Sequence, residues 1–493
     1  MEKVNGRKLS LIFIFILILL VIALLVGKLT FSYLGPTLGE DLSNEGEVTA
    51  SGDTLIFTKG SNLSLGATTD NFQTGGSNLS STTNPKVKLV ASSKTNSASA
   101  TYYVGVVINS NSYTYTTSDN TAEVILTIKD ENGSNVTSGV DGLTYVTSGG
   151  ASGFDVTGKT GLFNIKTDYP ISTTSSSTGT THTWTFTLTF VNLGTDQSDN
   201  ENSSMDLDIY LQKTKVPTSV AEACASGVNL ADCIITLNDK STSIVSNIYY
   251  HDSTLANGAG DNSYRYAGSS DSVNNYICLG SDAATCPDAN LFRIIGVFGD
   301  QTKVIRAKSV GDKAWHSSKD NIWSTSSLNT YLNGEYLTSL GTLADKIATT
   351  TWKVGGGTPA NISGVVPATA YKNEVGSSSS TTTVNKKIGL MYVSDYYYSA
   401  SPSAWTLVGY NSSDATKDYR AATSTNWLYL SSPEWTISRY SDSTNSAFFV
   451  NSTGLVGNRG VTSSFGVRPS FNLLSSVTYA SGSGTSSDPI RIN

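Results

Sequence analysis

One uninterrupted apolar segment near the start of the chain limits its possible folds more than any other feature. The nineteen residues from Leu9 to Gly27 include one polar side chain, Ser10, among Leu, Ile, Phe, Val and Ala. As a helix this segment would be about 28 Å long, close to the thickness of the hydrocarbon core of a bilayer. It is longer than the apolar part of a signal peptide, and no small-x-small cleavage site follows it. We therefore expect an uncleaved transmembrane helix over residues 9–27.

The charges on either side of this segment predict its orientation. Lys3, Arg7 and Lys8 precede it, whereas Lys28 is followed by the acidic residues of a short stalk, residues 28–46. Basic residues favour the cytoplasmic side of a membrane. We expect a single-pass protein of the cell membrane, with residues 1–8 as a cytoplasmic tail and the bulk of the chain extracellular.

The four cysteines agree with an oxidising location. Cys224 and Cys233 form one close pair in the sequence, and Cys278 and Cys286 form another. Neither pair has the CxxC spacing of a redox or zinc motif. Disulfides within each pair are the simplest interpretation, although four cysteines allow three connectivities.

Charge excludes one class of partner. Residues 1–28 hold four of the 32 basic and one of the 39 acidic residues, which leaves a net charge of −10 on the remainder. A negative surface without a basic cluster does not favour nucleic acid. We expect no nucleic-acid partner.

The region from 47 to 214 has the pattern of an all-β domain. Apolar and polar residues alternate in several short segments, most clearly from Thr183 to Phe190, where threonines occupy one face. An Asn132-Gly133 pair is typical of a hairpin turn. Seven or eight short strands at this spacing predict an immunoglobulin-like β-sandwich.

The remainder reads as a connector and a second domain. Residues 215–243 form the connector, with short helices predicted at 220–225 and 230–237. Residues 244–493 hold six of the seven tryptophans. Their strands, together with a predicted helix over 327–340, indicate an α+β module with an aromatic core.

Several motifs in this second module carry a resemblance. They are Tyr264–Gly268, Asn290–Asp300, Lys387–Tyr396, Glu434–Arg439, Gly466–Pro469 and the ending Gly484–Ile492. Together they resemble membrane-anchored surface proteins of Gram-positive bacteria that end in a domain of unknown function. That domain is similar to the formylglycine-generating-enzyme branch of the C-type-lectin-like fold. Residues 190–200 also resemble matrix-type surface proteins such as camelysin.

The resemblance implies a lectin-like fold for residues 244–493 but not the enzyme's activity. The formylglycine-generating enzyme uses late cysteines that bind copper, and this chain has no cysteine after Cys286. One fold also hosts both enzymes and binding modules. We therefore expect no metal and no cofactor.

Other motifs do not support catalysis. Gly153–Thr160 matches the letters of a phosphate-binding loop, but the residues after it predict a strand where that chemistry needs a helix. The three histidines, His182, His251 and His316, are isolated in the sequence. An enzyme is the less favoured alternative.

We predict that the ligand site lies in polar loops around Ala447–Val450, where lectin-like folds build their ligand surface. The predicted ligand-binding residues are Tyr440, Asp442, Asn445, Asn458 and Arg459. The expected function is display of a lectin-like binding module at the cell surface, with a glycan or a host or cell-surface component as ligand. The alternatives are a structural cell-envelope or matrix protein and an exterior enzyme of unknown reaction.

Overall fold

The computed structural model describes residues 46–50, 52–72, 74–238, 246–376 and 382–493. The predicted transmembrane helix, residues 9–27, lies outside them. In the part of the chain that is described, no helix is long and apolar enough to cross a membrane. The chain divides into two compact units, with unit 1 ending at Thr214 and unit 2 beginning at Lys215.

Unit 1 is built almost entirely of strands. They are β1 (Gly46–Ala50), β2 (Asp53–Thr58), β3 (Leu63–Gly66), β4 (Leu79–Thr83), β5 (Lys86–Val90), β6 (Ala98–Asn111), β7 (Val124–Lys129), β8 (Tyr145–Ser148), β9 (Ala151–Asp155), β10 (Gly161–Thr173), β11 (Thr180–Thr183), β12 (Thr185–Phe190) and β13 (Ser204–Gln212). One helical turn, α1 (Thr69–Phe72), and one 3-10 turn, Ser198–Asn200, interrupt them. All strand pairings are antiparallel, in sheets of order β1-β2-β5-β11, β10-β6-β13-β3 and β4-β12-β7-β9-β8.

Alternating side chains explain why these segments form half-buried strands. In β12, Phe186 and Leu188 are buried in the core. On the other face the Thr187 hydroxyl pairs with that of Thr82 at 2.9 Å, across the ladder between β12 and β4. Such cross-strand pairs stabilise a sheet while its apolar face drives burial.

Unit 2 combines two larger sheets with short helices. Its strands are β14 (Ile248–Tyr250), β15 (Tyr264–Tyr266), β16 (Tyr276–Cys278), β17 (Leu291–Phe298), β18 (Gln301–Arg306), β19 (Asp312–Ala314), β20 (Thr350–Lys353), β21 (Thr383–Lys386), β22 (Ile388–Gly389), β23 (Glu434–Arg439), β24 (Ser446–Val450), β25 (Val456–Gly460), β26 (Ser464–Gly466), β27 (Ser470–Asn472), β28 (Tyr479–Ser481) and β29 (Arg491–Ile492). One sheet has the order β14-β15-β17-β18-β27-β22, with β16 also paired to β17, and the other β19-β26-β23-β24-β25. Two small two-stranded sheets, β20-β21 and β28-β29, complete the strands described here.

The helices of unit 2 are short. They are α2 (Val220–Ala223), α3 (Leu230–Leu237), α4 (Ser327–Tyr331), α5 (Leu337–Ser339), α6 (Pro367–Glu374) and α7 (Val393–Tyr398), a π-helical segment at Leu332–Tyr336, and 3-10 turns at Asp288–Asn290, Trp323–Thr325, Gly341–Lys346, Pro402–Thr406, Ala415–Lys417 and Thr423–Thr425. The six tryptophans of this unit are all buried.

The predicted fold class is wrong. The described residues are mostly β-sheet with few helices, and those helices are short. Unit 1 has three sheets where an immunoglobulin-like sandwich has two. The α+β, C-type-lectin-like class assigned to residues 244–493 is withdrawn with it. Alternation specifies which faces are buried but not how strands pair, and that explains the error.

The prediction of disulfide bonds is confirmed. Cys224 is bonded to Cys233, which ties α2 to α3, and Cys278 is bonded to Cys286 at the end of β16. No free cysteine remains. Short closed loops of this kind constrain the unfolded chain and so stabilise the folded one.

Candidate functional site

Four neighbouring strands of the larger sheet align one row of residues in register. Arg265 of β15 is opposite Gly296 of β17, Gly296 is opposite Lys303 of β18, and Lys303 is opposite Asn472 of β27. Directly opposed residues of an antiparallel sheet share a face. Gly296 suits its position because a Cβ there would clash with the carbonyl oxygen of Tyr264. The row therefore places two cations and an amide on one face.

Asp395 joins the two cations. Its Oδ2 atom accepts a hydrogen bond from Lys303 Nζ at 2.6 Å, and its Oδ1 atom lies 3.9 Å from Arg265 Nη1. Asp395 is in the first turn of α7, where its Oδ2 also accepts from the backbone N–H of Tyr392 at 2.8 Å. Acidic side chains are favoured at this helix position. The same carboxylate thus caps a helix and neutralises charge.

Arg265 is almost completely buried and has partners on every side. Its Nη2 atom lies 2.6 Å from Asp261 Oδ2, and its Nε atom donates to Ser263 Oγ at 2.7 Å. Its guanidinium carbon lies 4.7–5.1 Å from the ring centroids of three aromatic residues, Phe298, Tyr371 and Tyr398. Burial opposes the charged form, but Asp261 and Asp395 outweigh it and raise the pKa of Arg265. These contacts hold the guanidinium in one position and keep it protonated.

Three aromatic rings surround the ammonium of Lys303, and one of them, that of Phe298, also contacts Arg265. Its Nζ atom lies 4.8 Å from the ring centroid of Tyr392, 5.4 Å from Phe298 and 5.7 Å from Trp352. Burial lowers the pKa of Lys303, while Asp395 acts in the opposite direction. The ammonium is held by one carboxylate and three rings, which are favourable surroundings for a cation.

Glu374 supplies a second buried carboxylate at the N-terminus of α7. It accepts from the backbone N–H groups of Val393 at 2.9 Å and Ser394 at 2.8 Å, and from the hydroxyl of Ser438. Burial raises the pKa of Glu374 despite these hydrogen bonds. Both carboxylates fix the start of α7 against the sheet.

A cavity of about 140 Å³ opens beside this network. Its lining comes from the larger sheet, from strand β20, and from α6 and α7 with their flanking residues: Arg265, Phe298, Lys303, Thr350, Thr351, Trp352, Tyr371, Val375, Tyr392, Ser394, Asp395 and Asn472. Two of the lining groups, Thr350 Oγ1 and Asn472 Oδ1, are buried without a hydrogen-bond partner. Buried polar atoms normally have hydrogen-bond partners, so two buried atoms without one at the same cavity indicate room for a ligand or for water.

A wider depression is a weaker candidate. It has a volume of about 450 Å³ and is lined by Asn229, Ala231, Asp232, Asp300, Ser475 and Ser476. No aromatic side chain contributes to this lining. Ligand pockets combine apolar walls with a few precisely placed polar groups. The cavity of about 140 Å³ has both, whereas this depression has no aromatic wall.

The residues predicted from the sequence lie on a different part of unit 2. In the hairpin β24-β25, Asn458 is opposite Phe448 and Arg459 is opposite Ala447, and both are exposed. The other three follow β23 and precede β24: Tyr440, Asp442 and Asn445. None of the five lines the cavity. Their binding role stays a prediction.

Local contacts hold two of the five. Asn445 Oδ1 accepts from Ser443 Oγ at 2.8 Å and from Ser446 Oγ at 3.3 Å, which stabilises the turn between β23 and β24. The ring of Tyr440 packs edge-on against Phe448. The turn before β24 is therefore ordered.

The histidines are separated from one another. His182 Nδ1 bonds the Tyr102 hydroxyl in unit 1, His251 Nδ1 accepts from the N–H of Ala259, and His316 Nε2 lies 3.4 Å from Asp320. The phosphate-loop string is followed by strand β10. Over the described ranges, no group of three or more His, Cys, Asp and Glu side chains is placed to hold a metal ion.

The cavity was not predicted from the sequence, although two of its lining residues lie in motifs that carry the resemblance. Arg265 and Asp395 lie inside two of the motifs that carry the resemblance, Tyr264–Gly268 and Lys387–Tyr396. The available signal was charge inside apolar strands, since Lys and Arg are almost never fully buried unless they are paired. Lys303 before Val304 and Ile305 is such a case.

A protein-family model matches part of unit 2. Residues 299–475 match a domain of unknown function (DUF6273). This confirms the coarser part of the resemblance, that the C-terminal region contains a domain of unknown function. Comparison with curated proteins finds no match. The matched range includes Lys303, Trp352, Asp395 and Asn472, and begins directly after Phe298.

Proposed function

We propose that this chain is anchored in the cell membrane through residues 9–27, and that unit 2 binds a ligand outside the cell in the cavity beside Lys303. One observation supports the cavity as the ligand site. The charged groups of the cavity have partners within the protein, whereas Thr350 Oγ1 and Asn472 Oδ1 are buried and unpaired. A preformed site with a few open polar positions is the usual design of a binding pocket.

Binding explains the arrangement better than catalysis does. A general base must reach the proton of its substrate, whereas an ion pair with a buried cation holds a carboxylate in place. Asp395 already accepts from Lys303 and from the Tyr392 N–H, and Asp261 is paired with Arg265. Both carboxylates form ion pairs with buried cations. Such a rigid set of neutralised charges orients a ligand without reacting with it.

The ligand we propose is a glycan or another component of a cell surface. The resemblance to surface proteins of Gram-positive bacteria supports this class, as does the mixture of aromatic and polar groups in the cavity. Phe298, Trp352 and Tyr392 contribute apolar ring surface, and Asn472 contributes an amide. Sugars present both apolar patches and hydroxyls, so such a lining suits them.

The test is a ligand screen with the purified full-length protein and two variants. Thr350 lines the cavity with its buried hydroxyl, and Thr350→Trp fills the cavity with a large side chain. Thr383→Trp is the matched control, because Thr383 is an exposed residue of the paired strand β21 that does not line the cavity. We expect a glycan array to give ligands that Thr350→Trp no longer binds and Thr383→Trp retains, while circular dichroism shows that both variants are folded.

The same screen separates this site from the predicted loops. The triple variant Asp442→Ala, Asn445→Ala and Arg459→Ala should bind like the wild-type protein. If the triple variant loses binding while Thr350→Trp keeps it, the loops around Ala447–Val450 are the site and the cavity is not.

A further inference from the structure

We infer that the cavity selects an uncharged group that carries hydroxyls, such as one pyranose ring of a glycan. The inference rests on the proposed function and names the chemistry of its ligand. It follows from which donors and acceptors the cavity leaves open and from how its charges are balanced.

A donor and an open acceptor stand side by side at the cavity. Lys303 and Asn472 are direct partners in the ladder between β18 and β27. The Lys303 ammonium has three N–H donors, one of which is directed at Asp395. The Asn472 amide donates to Gln301 Oε1 at 3.3 Å, while its Oδ1 atom has no partner.

A ligand hydroxyl can pair with both the Lys303 donor and the Asn472 acceptor. It has one donor and two acceptor positions, so a single ligand hydroxyl can accept from Lys303 and donate to Asn472 Oδ1. A second hydroxyl can pair with Thr350 Oγ1, the other unpaired buried atom of the lining. Filling both positions removes the cost of burying polar atoms without partners.

The balance of charge disfavours ionised ligands of either sign. A carboxylate has no donor for Asn472 Oδ1, and the cations it would approach are already neutralised by Asp261 and Asp395. An ammonium has donors but would lie near the ammonium of Lys303. A neutral group meets neither penalty.

The size of the cavity sets the size of the group. A volume of about 140 Å³ is close to that of an engineered cavity of about 150 Å³ that binds benzene. Phe298, Trp352 and Tyr392 supply apolar surface for a ring. A pyranose carries substituents that benzene lacks, so its ring fits only with some of these substituents, and the rest of a glycan, outside the cavity.

The experiment compares sugars that differ at one substituent. The probes are glucose, galactose and mannose, each with its uronic acid and its 2-amino sugar, titrated into the full-length protein and followed by ligand-observed NMR. In at least one series the neutral sugar should bind at least about ten-fold more tightly than both charged relatives, the effect of about one unpaired buried group. A charged member that binds as tightly as its neutral parent, or binding by none of the nine, overturns the inference.

Two variants test the contacts themselves. Thr350→Val removes the unpaired hydroxyl and keeps the shape of the side chain, so folding should be retained while affinity falls about ten-fold. Asn472→Ala should cause a similar loss, and Asn274→Ala, at an exposed asparagine that does not line the cavity, should cause none. Unchanged affinity in both Thr350→Val and Asn472→Ala shows that these groups do not contact the ligand.

The outcomes distinguish this inference from the proposed function. If the array gives a charged ligand whose binding Thr350→Trp abolishes, the cavity is the site and only the ligand chemistry is wrong. If Thr350→Trp leaves every ligand bound, the proposed site is wrong as well.

Discussion

At the scale of single residues, unit 2 stabilises buried charge by pairing it. Burial alone would raise the pKa of Asp261, but the neighbouring Arg265 cation and the hydrogen bonds from Ser263, Tyr371 and Arg265 outweigh it and lower the pKa to about 2. A carboxyl whose pKa is lower in the folded than in the unfolded state stabilises the fold above the unfolded pKa. Asp261 therefore contributes to stability as an anion.

This pairing predicts a pH dependence for the variant Asp261→Asn. The shift from the ordinary value of 3.8 to about 2 corresponds to about 2 kcal/mol, which we expect the variant to lose at pH 7. The contribution is complete above the unfolded pKa and disappears as the pH falls through the folded pKa. The difference between the two proteins should therefore shrink between about pH 4 and about pH 2.

Urea unfolding followed by tryptophan fluorescence measures this, because six of the seven tryptophans lie in unit 2. The wild-type protein and Asp261→Asn are compared at pH 7, 4 and 2.5. A difference that stays constant over this range would show that the carboxylate does not stabilise the fold through its charge.

At the scale of elements, local patterns predicted those strands and helices whose signal lies within one short segment. The alternation from Thr183 to Phe190 corresponds to β12, and the short helices predicted at 220–225 and 230–237 correspond to α2 and α3. The helix predicted over 327–340 corresponds to α4, the π-helical segment Leu332–Tyr336 and α5, which follow one another without a gap. The wider π-helical turn in its middle was not predicted, since periodicity does not report the hydrogen-bond pattern. Helix α7 was not predicted, since its start depends on Glu374, which is distant in sequence.

The N-terminus of α7 gives the second prediction. Asp395→Asn removes the carboxylate that caps the helix and leaves Lys303 without its anionic partner in a buried position. Breaking a buried ion pair in this way typically costs about 3–5 kcal/mol. We expect a loss of that size in the free energy of unfolding, measured by urea denaturation at pH 7.

The chain contains a matched control for this variant. Lys308 and Asp288 are also 2.6 Å apart, but both side chains are about two-thirds exposed. An exposed pair is worth at most about 1 kcal/mol, so Asp288→Asn should unfold almost like the wild-type protein. Equal losses in the two variants would mean that burial does not determine the strength of the Lys303–Asp395 pair.

At the scale of the whole molecule, the sequence could not specify how distant segments pair. Arg265, Lys303, Asp395 and Asn472 are spread over more than 200 positions, and strand pairing brings them to one cavity. No local pattern encodes that register. The predicted loops, by contrast, are close in sequence, which is why they were the site that sequence reasoning selected.

The location of the chain gives the last prediction. Both disulfides form only where thiols are oxidised, which agrees with the extracellular orientation proposed from Lys3, Arg7 and Lys8. Alkaline phosphatase, which needs its own disulfides, should be active when fused after Asn493 in a bacterial host and inactive when fused after Lys8. Deleting residues 9–27 should abolish the activity of the Asn493 fusion and leave all four cysteines open to maleimide. Activity that survives this deletion, or full-length protein that is released into the medium, would contradict anchoring by that segment.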